Sequence, residues 1–320
     1  MNVLRTVFKV LLIIFIVGVV LFVALFAASG FDTDMISGVE YVTNEYEIGE
    51  EFSDIYIDVS SADVKFAISD TDSAKVVCRE SNKVKINALV DDNKLAVVSE
   101  ENWYDFIFGA GSGYYATVYI PAGEYGTLYC DVTTGDLSIC DGVSFATANI
   151  DVTTGDVNIT CDVAGDVILH VTTGDVKISG VEFASLNMDC TTSDVYVDNA
   201  SVSGACRFDI STGDTVLTGL RAESAEIDTT TGEVVLNDVI LNGKLQVKCT
   251  TGDVILGGSD AKDINIKCTS GDVIGTLLTP KTFSADSTSG DVKVQFPSSG
   301  DPCVIKTTSG DINITIVEAK

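Results

Sequence analysis

The chain has 320 residues, 47 acidic against 19 basic, and a net charge of -28, while 46% of it is hydrophobic. That apolar content excludes a disordered acidic chain, and the negative charge removes the attraction on which nucleic-acid binding depends. Its nine cysteines and single histidine fall at no metal-ligand spacing.

Val10 to Ala28, VLLIIFIVGVVLFVALFAA, runs nineteen residues without a charge. That is enough to cross a hydrocarbon core of about 30 Å as a helix. Arg5 and Lys9 precede it and acidic residues follow, which predicts a cytoplasmic N-terminus and an extracytoplasmic remainder on a single-pass anchor. A cleaved signal peptide is the alternative, since Ala27-Ala28-Ser29 offers small residues, but the segment exceeds the usual apolar stretch of about 7 to 15. Residues 1–30 are therefore read as anchor and 31–50 as linker.

Residues 51–125 are read as a lead-in. IYIDVSSADVKFAIS, with Ala62 at its turn, predicts a degenerate first coil of the array that follows. KVKINALVDDNKLAVVS predicts an antiparallel hairpin around DDNK that interrupts the stack. WYDFIFGAGSGYY then gathers Trp103, Tyr104, Phe106, Phe108, Tyr114 and Tyr115 in one stretch without a repeat equivalent. It reads either as a cover for the open end of a stack or as a contact surface for membrane, glycan or protein.

From 126 to 320 one turn recurs, marked by Gly135, Gly155, Gly174, Ser193, Gly213, Gly232, Gly252, Gly271, Gly290 and Gly310, at spacings of 19 or 20 residues. Two Thr or Ser residues precede each marker, and Asp follows it except at Glu233. Such a period means stacked supersecondary units. Strand alternation places residues three, five and seven before the marker inward, as in Cys249, Val247 and Leu245, and those two and four after it, as in Val254 and Leu256. Five apolar columns and two short strands per repeat predict an all-β fold, a parallel β-solenoid of about ten coils. TTGD is its corner, with glycine permitting a positive φ. Cys130, Cys190, Cys206, Cys249, Cys268 and Cys303 fall on inward columns as buried thiols.

YIPAGEYGTLYCDVTTGDL followed by serial TTGDV, TSGDV and TSGDI turns resembles the bacterial putative-adhesin β-strand-repeat family, also called toastrack domains. The resemblance covers about residues 50 to 317. It implies a solenoid on the outer side of a bacterial envelope, in surface-interaction or envelope-stress settings, and no catalytic residues come with it.

Chemically, His170 sits at an outward strand position, which argues against a serine triad. No cofactor is expected. Asp136, Asp156, Asp175, Asp253, Asp272 and Asp291 belong to one column of corner carboxylates about 5 Å apart, whose repulsion something must offset. Hydrogen bonds from the turn's own backbone and from neighbouring threonine hydroxyls are one account; divalent cations such as calcium between coils are the other, although the GGxGxD nonapeptide is absent. Adjacent threonines at a corner do not make the flat array of an ice-binding face. The expected function is a non-enzymatic, membrane-anchored envelope scaffold or interaction module with an unidentified protein or glycan partner. The alternative is a carbohydrate-active β-helix enzyme, which a cluster of acids with Arg or Lys on one face would favour. The last copy, TTSGDINITIVEAK, is expected to be the uncovered end of the stack, either blunted only by Glu318 and Lys320 or, as the favoured reading, paired end to end with a second copy.

Overall fold

The computed structural model describes residues 40–100, 113–295 and 299–317, so the segment read as an anchor and four of the six aromatics, Trp103, Tyr104, Phe106 and Phe108, lie outside the described residues. The described residues form strands and connections without a helix, and none of them makes a helix long and apolar enough to cross a membrane. Seven strands precede the regular array: β1 (Tyr41–Ile48), β2 (Asp54–Ser61), β3 (Asp63–Ile68), β4 (Ala74–Ser81), β5 (Lys85–Asp91), β6 (Lys94–Glu100) and β7 (Tyr115–Ile120). The array opens with β8 (Gly123–Thr134) and β9 (Leu137–Ile139), a long strand and a short one meeting at the Gly135 corner.

That alternation repeats coil after coil, long strand stacking parallel on long strand and short on short. Ile150 pairs with Cys130 on one side and Leu169 on the other, and Val157 with Leu137 and Val176. The architecture is thus the expected all-β parallel solenoid, with one refinement. From Gly123 to Asn237 each coil has a strand of 11 or 12 residues and one of 3 or 4, instead of two short ones. The long strand bends where its register shifts, as between Phe145 and Ala148, and the bulge turns the coil without breaking its ladder.

All five expected columns point inward through the middle of the stack, with Cys206, Phe208, Ile210, Leu217 and Thr215 at 0 or 1% exposure. Two more columns, Val181, Ala200, Leu220 and Val239, then Phe183, Val202, Ala222 and Leu241, join them. These follow a second corner that the sequence reading missed. Six residues after the marker stand Gly180, Asn199, Gly219, Asp238 and Gly258, all with φ between 51° and 65°. Gly, Asn and Asp are the residues that enter the left-handed region most readily, so their recurrence at one offset was the available signal. All nine cysteines are free thiols and eight are buried.

The ends of the stack depart from chain order. At the first end β2 pairs with β8, and β3 with β9, as a first coil should. On their outer side lie β6 and β7, parallel to β2 and β3, although both come later in the chain. β5 then closes antiparallel on β6, and β4 on β7, with β1 outside β4. The expected hairpin is present, its turn at Asp92 and Asn93 carrying φ of 47° and 62°. It closes the stack instead of interrupting it. Residues 41–48, read as linker, form β1 because Ile48 and Tyr46 pack on the capping core.

At the other end the last coil is not the end. Strand Asp301–Ser309 pairs with Val254–Ser270 through Ile264 and Cys303, and Ile312–Ile316 pairs with Val273–Leu277. The preceding coil, Lys281–Ser289 and Val292–Val294, lies outside this last one, on Cys303 and Ile312. The expectation that TTSGDINITIVEAK forms the uncovered end is therefore corrected: coil 301–316 is sandwiched and coil 281–294 is terminal. Composition explains the order. Ile305, Ile312 and Ile314 are covered on both sides, whereas the corresponding Ala285, Val292 and Val294 are left partly exposed.

Lys281 secures this arrangement. Its side chain is fully buried, its Nζ 2.5 Å from Asp260 Oδ1 and donating at 2.7 Å to the Ala261 carbonyl, with Asp301 Oδ2 at 3.7 Å. The outermost coil thus holds a residue two coils away, reaching past the start of the inserted strand.

Candidate functional site

The corner column explains itself in backbone terms. The marker residues Gly135, Gly155 and Gly174 have φ of 143°, 148° and 135°. A Cβ at Gly155 would also run into the carbonyl oxygen of Gly135 one coil below, so close approach and conformation both demand glycine. The corner amide of each coil donates to the next, Gly135 N to Thr154 O at 2.9 Å and Gly155 N to Thr173 O at 2.9 Å.

The carboxylates use the same step. Asp63 Oδ1 accepts the Asp136 amide, Asp136 Oδ1 that of Asp156, and Asp156 Oδ1 that of Asp175, at 2.8 to 3.0 Å. Farther along, Asp253 receives Asp272, Asp272 receives Asp311, and Asp311 receives Asp291. These charge-assisted bonds offset the repulsion along the column. The donors come from the neighbouring coil, where the sequence reading expected the turn's own backbone and threonine hydroxyls. Asp291 ends the series, with Lys293 Nζ at 3.8 Å. Among the described residues no group of three or more His, Cys, Asp or Glu side chains is arranged to hold a metal ion.

The two described members of the aromatic stretch serve the cap. Tyr114 is 4% exposed, its hydroxyl 3.0 Å from Ser81 Oγ and its ring centroid 5.5 Å from that of Tyr41. Tyr115 sits at the start of β7 opposite Asp63 and Arg79. Beside them Tyr46 donates to buried Glu80 at 2.9 Å, and Lys85 reaches the same carboxylate at 3.4 Å. Burial first, then the bond to Glu80, pushes the Tyr46 phenol up to about 12.

The outer face of the long strands holds the cluster that sequence reading did not find. Arg207 lies 3.0 Å from Asp209 and 3.2 Å from Glu226, and Lys248 lies 3.2 Å from both Glu226 and Asp228. Gln246 donates to Glu226 as well. Its members are 19 to 22 residues apart across coils, so only the outward columns four and six before the marker would have revealed it. The bond from Lys248 leads the causes that hold the Glu226 carboxyl below its usual range. A carboxylate so stabilised is a weak base, and its partners are all 37 to 48% exposed on a sheet face. His170 stands on the same face between Asp151 and Asp189. An open cleft of about 360 Å³ lies elsewhere, against Phe52, Asp72 and Tyr125 at the cap.

The family model described as Toastrack DUF4097 matches residues 52–214 and 208–320. No curated protein matches the chain. Among solved structures, a "putative adhesin" from Bacteroides fragilis is similar at 14% identity over 86% of this chain and 97% of that one, with a TM-score of 0.39. A "putative adhesin" from Parabacteroides distasonis is similar at 12% identity, and a "putative lipid binding protein" from the same organism at 13%, each over 86% of this chain and 97% of the other, with a TM-score of 0.43. At such values these likenesses add nothing on function.

Proposed function

Since the chain belongs to the toastrack family, we propose that it is a non-enzymatic, adhesin-like binding scaffold, held by residues 10–28 at the outer face of a bacterial membrane. The observation that supports a scaffold is the engagement of its charged groups. Corner carboxylates accept amide bonds from the next coil, and the Arg207, Glu226 and Lys248 cluster consists of mutually neutralised, half-exposed partners. A stack so built is stiff and presents long rows of side chains, which suits recognition over an extended surface.

Protease treatment of intact, wall-stripped cells tests the placement. Digestion of residues 31–320 with retention of the N-terminal fragment in the membrane is expected. Release of a mature protein starting near Gly30 into the medium would overturn the anchor.

The carbohydrate-active alternative now has the acid and Arg/Lys cluster that favours it. Reducing-sugar release that disappears in Glu226→Gln would establish it over the scaffold.

A further inference from the structure

The outward face of the short strands carries a row that the scaffold does not use. Three residues after the corner marker, Tyr196, Val216, Val235, Ile255 and Ile274 are successive cross-coil partners in one unbroken register. Tyr196 is 38% exposed and the other four are partly exposed. Earlier coils place Ser138, Asn158 and Lys177 in this column, and Asn313 follows Ile274. A solvated sheet face has polar residues outward, so five consecutive apolar ones depart from what the fold needs.

The row is bordered asymmetrically. Two residues before each member, on the same face, stand Asp194, Asp214, Glu233, Asp253 and Asp272. Two residues after stand Asp198, Thr218, Asn237, Gly257 and Thr276, with a single carboxylate. The acidic border is near enough that Asp194 first, then burial, then Asp175 and Asp214, raise the Tyr196 phenol above its ordinary range. At about 4.8 Å per coil the row extends roughly 19 Å.

We propose that this row docks an amphipathic α-helix of a partner polypeptide, apolar along one face and carrying Lys or Arg along one flank. A helix rises about 5.4 Å per turn, so over the roughly 19 Å of the row one laid along the stack drifts from the coils by only about half a coil. An extended strand advances about 6.7 Å between side chains on one face and falls out of step. The net charge of -28 attracts the basic flank and repels anionic lipid and phosphate. The proposal rests on the scaffold reading and names the chemistry of its partner.

The test uses the full chain in phosphatidylcholine nanodiscs, with empty nanodiscs as background, and a fluorescent 14-residue helical peptide with leucine on one face and lysine on the flank. Anisotropy should report binding, absent for the Glu/Leu counterpart. Val235→Ser with Ile255→Ser should weaken it at least tenfold. Asp214→Asn with Asp253→Asn should weaken it several-fold, because asparagine Oδ1 still accepts the next coil's amide but the charge is gone. Asp131→Asn with Asp151→Asn, on the opposite sheet, should leave it unchanged. Equal loss in the opposite-sheet pair would mean unspecific attraction. Undiminished binding in the serine pair, or light scattering showing that this row holds two copies together, would also overturn the proposal. Because the readout needs no cell, it can fail while the membrane placement stands, and the reverse.

Discussion

The two ends of the stack face the same physical problem and solve it differently. A coil with no neighbour exposes strand amides, carbonyls and the rim of an apolar core, a template for unwanted pairing. The first end changes direction: β5 and β4 run antiparallel to the coils and close over them, with Tyr46, Glu80 and Tyr114 making a hydrogen-bonded lid. The second end keeps direction and changes composition. Coil 281–294 stays parallel but puts Ala285 where the two coils inside it put Ile305 and Ile266, and buries Lys281 at its start. Ser287 donates to the Gly310 carbonyl at 2.8 Å, so even its core positions are partly spent on hydrogen bonds. One end can therefore be closed by new strands, while the other needs only a coil that tolerates being half covered.

The sharpest way to break this contrast is to exchange a charge between the inserted and terminal coils. Ile305→Asp places a charge at a position with 0% exposure, and should cost more than about 4 kcal/mol and abolish cooperative unfolding. Ala285→Asp, twenty residues earlier in the same column, should cost about 1 kcal/mol or less. Circular dichroism through a denaturant titration reads both, and the reverse order of effects would mean that the coils stack in chain order.

A smaller effect tests the latch. Lys281→Met leaves Asp260 buried without its cation and should cost about 3 to 5 kcal/mol. Adding Asp260→Leu should recover much of that loss, and an unrecovered double variant would show that Lys281 acts otherwise.

The smallest effect separates lid from coils. Tyr46→Phe should cost about 1 kcal/mol by removing its bond to Glu80. Alkali should act on both regions. Burial pushes the thiols of Cys78, Cys161, Cys190, Cys206 and Cys303 up to about 12, and the Tyr46 phenol rises likewise. Groups raised in the folded state keep their stabilising contribution below the unfolded value and lose it as pH climbs to the folded one. Stability should hold to about pH 9 and fall between 9 and 12, the phenol's part beginning near pH 10. A denaturation midpoint that stays flat over that window would show that these groups ionise without unfolding the stack.

Much of the repeating unit was legible because alternation and period act locally: the marker glycines, the inward columns and the DDNK hairpin follow from a few residues each. Stacking order at the ends was not, since every coil has the same corner and any two can pair in register. A signal was nevertheless present. Ala285 weakens one column at the next-to-last copy, which Ile305 then restores, and a weakening inside an array marks a coil that is outermost in space. Of the candidate residues, the corner aspartates were found by their spacing but their bonding partners were not. The Arg207, Glu226 and Lys248 network escaped because each member looks solvated within its own strand.

The sandwiched position of coil 301–316 makes it a keystone. Two coils depend on it, one above and one below. Excision of coil 301–316 would therefore remove one storey and strand another, leaving Lys281 to face Asp260 across an empty gap.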